Sequence, residues 1–222
     1  LPILEELGEY LYRKVYMLKS YYEKRKSITE KLKLPNMALK LPLLKQNNIV
    51  QNIIDETPIE DIISEIEVLK NTENKKLFSH GDYDVFFTTS AEIPSIMREI
   101  GRQRELTFRA VGEGTNLPFD LDEYDNHYHH LSLWDNAERK LVGAYRMALG
   151  AEVMKKYGIN GFYTSSLFEY DPELQPFFRK VIEMGRAYIS VEYQQKPFPL
   201  FLLWRGIVHV CLRNPGHKFL MG

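Results

Sequence analysis

The 222-residue sequence contains one cysteine, no unbroken apolar stretch of about 18 residues and almost no net charge, −1. Each shortage excludes something. Cys211 has no partner, so a disulfide framework is ruled out, and the cysteine usage fits a reduced, cytosolic setting. Without a long apolar run there is no membrane-spanning helix. Glu5, Glu6 and Glu9 interrupt the first apolar residues, so these do not form a signal peptide. The charge balance supplies no global reason to expect nucleic acid as a partner. Disorder of the whole chain is excluded by an apolar fraction of 44% beside 27% charged residues. The chain starts at Leu1 rather than Met and stops at Gly222, just after Phe219-Leu220-Met221, so we expect a piece of a longer protein.

Residues 1–33 have the pattern of one long helix. Leu4, Leu7, Leu11, Val15, Leu18 and Tyr22 recur at spacings of three and four and form one stripe. From Gly8 to Lys45 there are ten Lys or Arg against three Glu, or about +7. Two readings stay open: a solvated helix packed on the rest of the protein, or a basic amphipathic face on an anionic membrane or a neighbouring domain. Residues 34–48 read as a connector rich in Pro and Asn. Thr57-Pro58 with Glu60 predicts a capping box that opens a short helix, whose apolar residues run from Ile59 to Leu69. Residues 49–67 hold six acids and no base.

From about residue 76 the pattern becomes α/β, with a mixed sheet. Leu77-Phe78 and Tyr83–Thr89 predict a hairpin, and Ala91 to Val111 a helix with Ile93, Ile96, Ile100, Leu106 and Phe108 inside. A Gly- and Asp-rich loop follows from Gly112 to Asp125. Tyr128 to Trp134 and Leu141 to Leu149 are strands joined by a polar turn. Ala151 to Tyr157 is a short helix, Val181 to Val191 a strand, and Pro199 to Leu212 a helix apolar nearly all round and hence buried. A further strand starts at Lys218.

Five acids fall within the 13 residues from Glu113 to Asp125, among them Asp120, Asp122 and Asp125. His127 and His129 share a strand face beside them. No HExxH or CxxC spacing accompanies them, so no metal site is expected. Arg104 and Arg109 sit on the preceding helix, Arg146 ends the hairpin, and Glu183 and Arg186 sit on the later strand. Along a regular strand Glu183 and Arg186 would face opposite ways, but Gly185 between them makes a bulge cheap. Such charges among apolar neighbours suit a buried Arg–carboxylate network around a cleft. His130 and Asp135 fit HxxxxD, an O-acyltransferase signature. On a strand, however, they lie on opposite faces about 16–17 Å apart, so the match is accidental.

Taken together, Arg104-x-x-x-Phe108, Asp120-x-Asp122-x-x-Asp125, Gly143-x-x-Arg146 and Glu183-x-x-Arg186 resemble a known pattern. Their order and spacing are similar to those of the acyl-homoserine-lactone synthases. They are more similar still to the ornithine and glycine N-acyltransferases of aminolipid synthesis, often called hemolysins. The likeness covers roughly residues 80–222 and includes the words TFRAVGEGT, DLDEYDNHY, GAYRM, SSLFEY and PLFLLWRG. It implies the GNAT fold, here with an N-terminal helical extension over 1–75 and an acyltransferase domain over 76–222 that is incomplete at its C-terminus.

The resemblance further implies transfer of a fatty acyl group, typically 3-hydroxy, from acyl carrier protein to the α-amine of glycine or ornithine. Signal synthesis and a non-catalytic module that binds a carrier protein or a membrane are the alternatives. Glu183 is the first candidate base, with Asp120, Asp122 and Asp125 as alternatives or as shapers of an Arg-paired wall. Arg104, Arg146, Arg186 and Phe108 are candidate substrate-binding residues, and a bulge near Gly185 would supply oxyanion donors. The family's acetyl-CoA users carry a Gly-containing loop where this chain has Tyr193–Pro199, with two prolines and no Gly. That favours the phosphopantetheine arm of a carrier protein over CoA, with no separate cofactor. Lys196, Arg205, Arg213 and Lys218 would dock the acidic carrier. An O-acyltransferase domain in the same chain and peripheral contact with the inner membrane also belong to this expectation.

Overall fold

The computed structural model describes residues 50–222. The expected helix over 1–33, the connector over 34–48 and the basic face lie outside them. Six strands form one sheet in the order of the chain: β1 (Lys76–His80), β2 (Tyr83–Thr89), β3 (His129–Asp135), β4 (Lys140–Leu149), β5 (Val181–Ile189) and β6 (Phe219–Met221). Neighbours pair antiparallel except β5 and β6, which are parallel, so the sheet is mixed. The helices are α1 (Ile59–Asn71), α2 (Pro94–Ala110), α3 (Gly150–Lys156), α4 (Gln175–Phe178) and α5 (Pro197–Arg213). None of the described helices is long and apolar enough to cross a membrane.

Alternation along the strands divides the core between two faces of the sheet. Val85, Leu131, Leu133, Val142 and Ile182 pack against Leu202, Leu203, Ile207 and Val210 of α5. Phe86, Trp134, Ala144 and Tyr188 on the other face pack against Ile62, Ile66 and Leu69 of α1 and Ile93, Ile96 and Ile100 of α2. Residues 48–222 form one compact unit, and α1 is inside its core. Residues 59–71 therefore pack in the same unit as the six-stranded sheet.

Two local expectations change for tertiary reasons. Thr57 does not cap α1: its N–H donates to Glu99 Oε2 at 3.1 Å, and its hydroxyl accepts from Arg98 at 3.0 Å. A residue with capping chemistry is drawn to charged partners on a neighbouring helix instead. Helix α5 is buried on one side only, with Phe201, Trp204, Val208 and Leu212 exposed. Its sheet-facing stripe is covered, and no described element lies over the opposite face.

The start of α2 is held by α1. Both oxygens of Glu65 accept helix N–H groups, from Ser95 at 2.7 Å and Ile96 at 2.9 Å. A carboxylate here also meets the positive end of the helix dipole. Glu65→Ala is expected to cost about 1–2 kcal/mol in urea unfolding, the usual loss for a helix cap. An unchanged midpoint would show that the two N–H groups are equally well served by water.

Candidate active site

The bulge that the sequence allowed near Gly185 is present one residue further on. Ala144 pairs with Tyr188 and Arg146 with Gly185, so Tyr145 alone faces Arg186 and Ala187. Arg186 takes the left-handed φ of +50° that this extra residue demands. A non-glycine residue held there stores strain, a feature that gathers at functional sites. The bulge also brings Arg186 to the sheet face that Glu183 occupies, and both side chains reach the neighbourhood of Tyr163.

On that face the three aspartates meet the three arginines. Arg104 Nη1 on α2 donates to Asp125 Oδ1 at 2.8 Å. Arg146 Nη1 on β4 donates to Asp125 Oδ2 at 3.2 Å and, at shorter range, to Asp122. Arg186 approaches Asp120 at 3.6 Å and Asp122 at 3.9 Å. Asp122 and Asp125 also form a reciprocal capping box around the turn Glu123–Asn126, which aims both carboxylates inward. Arg104, Arg146, Asp120 and Asp125 are buried, whereas the Arg186 side chain remains 27% exposed.

These surroundings set the protonation states. Burial would raise the Asp125 carboxyl, but the charges of Arg104 and Arg146 override it and hold the group below the ordinary range. Burial raises Asp120 above that range, against the pull of Arg186 and Arg104. His130 projects from β3 into the same network, bonded at 3.2 Å to the Asp125 carbonyl. Burial first, and then the charge of Arg104, push it down to about 3. It is therefore a neutral imidazole at neutral pH.

Glu183 lies beside this network with partners that the sequence did not suggest. The Tyr128 hydroxyl donates to one of its oxygens, as does the Tyr163 N–H at 3.0 Å, while the Thr164 N–H donates to the other at 2.9 Å. The Tyr128 phenol is raised by burial and by the Glu183 charge. Tyr163 and Thr164 sit in an irregular run of short turns without hydrophobic periodicity, so no sequence signal marks them. Glu183, Tyr128, Tyr163 and Arg146 wall a cavity of about 310 Å³ that is otherwise lined by apolar residues, including Leu167, Phe168, Met184 and Met221. It lies along β5 beside β6.

The remaining candidates scatter. Phe108 packs by the Arg186 guanidinium, 6.0 Å from the ring centre. His127 bonds to the Gly161 carbonyl and His129 stacks near Phe87, so the two do not converge. Among the described residues no group of three or more metal-ligating side chains is gathered. Asp135, on the sheet face opposite His130, accepts from the Tyr193 hydroxyl at 2.9 Å and from the turn amides of Ala137 and Glu138. Lys196, Arg205, Arg213 and Lys218 are exposed along and around α5.

Residues 103–204 match the family described as an acetyltransferase (GNAT) domain. Among curated proteins it is 33% identical over 181 residues to the glycine N(alpha)-acyltransferase of Bacteroides thetaiotaomicron, covering 74% of this chain and 54% of that protein. A second protein of that name, from Phocaeicola vulgatus, is also 33% identical over 181 residues, with 74% of this chain and 56% of that protein covered. The chain thus spans about half the length of the curated relatives it matches. No solved structure gives a significant match.

Removing Asp125 would leave Arg104 and Arg146 as uncompensated buried charges. Asp125→Ala is expected to destabilise the protein by about 3–5 kcal/mol in denaturant unfolding. A loss below about 1 kcal/mol would mean that water reaches the network. His130 makes a separate prediction. Its folded value of about 3 lies below the unfolded value of about 6.5, so the unfolded chain takes up the proton first as pH falls. The stability His130 contributes is complete above pH about 6.5 and is lost progressively towards 3. The part due to Asp125 fades only below about pH 4, whereas Asp120, with its raised value, acts in the opposite sense from that raised value down to about 4, in parent and variant alike. Urea unfolding at pH 6.5 and 4.5 should therefore show a smaller loss for His130→Gln than for the parent. Equal losses would place the proton uptake on another group.

Proposed function

We propose that this protein transfers a fatty acyl group from a pantetheine thioester to the α-amine of an amino acid, with glycine as the favoured acceptor. The observation that carries this reading is the bulge at Arg186-Ala187 beside a mainly apolar cavity. A bulge leaves a strand N–H without its ladder partner, and a thioester carbonyl next to it would gain a donor as its oxygen becomes negative. The cavity volume of about 310 Å³ suits a small ligand or part of an acyl chain. The names of the two curated relatives support glycine as acceptor.

In this reading the acceptor's neutral amine attacks the thioester carbon and the C–N bond forms. The C–S bond then breaks, and the thiolate leaves and takes up a proton. Once it has attacked, the nitrogen is positively charged and acidic, so a weak base suffices. Glu183 remains the first candidate because it is the carboxylate that lines the cavity. Its three donors fix its position. Asp120, Asp122 and Asp125 serve better as the wall that positions the arginines, since each lies close to arginine charge. Arg186 is the partly exposed arginine of the set, and its Nε, like those of Arg104 and Arg146, has no hydrogen-bond partner. It would receive the acceptor's carboxylate, with Phe108 against the guanidinium.

An acyl carrier protein is the proposed donor, supported by the start of α5, where Pro197 and Pro199 remove amides that a pyrophosphate would need. Lys196, at the N-cap of α5, is the nearest docking charge in sequence to β5. The product, an N-acyl amino acid, would place the protein in aminolipid synthesis.

The test is incubation of the protein with 3-hydroxyacyl carrier protein and, separately, glycine, ornithine and S-adenosylmethionine, with products read by mass spectrometry. N-acylglycine is expected, and no acylated product from any acceptor would overturn the reading. Glu183→Gln should lower kcat by about 100-fold or more, and Arg186→Lys should act mainly on the KM for the amino acid.

A further inference from the structure

Among the described residues nothing covers the apolar outer stripe of helix α5. Phe201, Trp204, Val208 and Leu212 recur at spacings of three, four and four, and so form one line along its outer face. Phe201 is 51% exposed, Trp204 41%, Val208 50% and Leu212 73%. Phe198 stacks on Phe201 with centroids 6.3 Å apart and extends the patch towards His80 and Tyr83. A contiguous exposed patch of this kind marks an interaction site.

Its charge is equally one-sided. The 30 residues from Tyr193 to Gly222 contain Lys196, Arg205, Arg213 and Lys218 and no acid, although the chain has 30 acids in all. The Arg205 guanidinium lies over the Phe78 ring at 4.3 Å, and Lys196 Nζ over the Tyr193 ring at 4.4 Å. Arg213 donates to the carbonyls of Asn74 and Lys76 at 2.8 and 3.2 Å. Neutral partners position these cations without cancelling their charge. Apolar and aromatic side chains on a convex helix that itself carries bases and no acid match an anionic lipid interface, where Trp favours the headgroup level.

We propose that the outer face of α5 rests on an anionic membrane surface, with Phe201, Trp204, Val208 and Leu212 at the acyl boundary and Arg205 and Arg213 at the headgroups. This contact is separate from the chemistry at β5 and does not depend on the acyl-transfer reading. An acidic carrier protein is the competing occupant of the same face.

The chain has two tryptophans, and Trp134 is buried at 2% exposure, so a change in emission on binding reports Trp204. The whole chain would be mixed with vesicles of phosphatidylcholine alone or with phosphatidylglycerol. Blue-shifted emission and flotation with the anionic vesicles are expected, both weakened by salt. Trp204→Phe should still float but without the shift. Phe201→Ser/Val208→Ser should float at least tenfold less while keeping the parent's urea midpoint. Flotation without a Trp204 shift would put the contact elsewhere on the chain and overturn the proposal, as would no flotation. Carrier-protein binding that the double variant abolishes, without vesicle binding, would assign the face to the carrier instead.

Discussion

The site depends on one carboxylate shared between two buried guanidinium groups. Asp125 accepts from Arg104 on α2 through one oxygen and from Arg146 on β4 through the other. It thereby ties a helix to the centre of the sheet by way of a loop that has no regular structure of its own. The geometry must be good, because two buried cations and their anions recover their desolvation cost only through close, multiple hydrogen bonds. The capping box with Asp122 supplies that geometry by holding Asp125 towards the arginines. The same loop is fastened at its other end by Glu105, which accepts from the N–H groups of Thr115 and Asn116.

This arrangement leaves the arginines unequal. All three keep an unbonded Nε, but Arg104 and Arg146 are closed in by the network, whereas Arg186, on the bulge, keeps partial exposure. A bulge residue is less constrained by the ladder than its neighbours, so it can turn its side chain towards a ligand while the wall behind stays fixed. Rigidity from the Asp125 pair and freedom at Arg186 thus come from adjacent strands of one sheet.

Much of this was legible from residue type and spacing. The alternation of β2, β3 and β4, the three-and-four periodicity of α2, and the Arg and Asp constellation all rest on local patterns that tertiary packing did not override. The bulge was foreseeable because glycine beside a charged pair on a strand makes an extra residue inexpensive, although the structure sets the left-handed residue at Arg186 rather than at Gly185. The pairings themselves were not legible. Thr57 looked like a cap because capping is a local pattern, yet Arg98 and Glu99 of a neighbouring helix claimed it. Tyr128, Tyr163 and Thr164 gave no signal as partners of Glu183, because two of them lie in aperiodic turns and the third looks like an ordinary strand residue.

Helix α5 shows the same limit from the other side. An all-round apolar sequence states that both faces avoid water, but not what each face meets. The sheet answers for Leu202, Leu203 and Val210. For Trp204 and Leu212 the answer must come from outside the described fold, and the acid-free stretch around them narrows it to a surface that is both apolar and negative. A helix that is buried by its own sheet on one side and by a lipid interface on the other would need this composition: apolar throughout, with bases only along the border between the two.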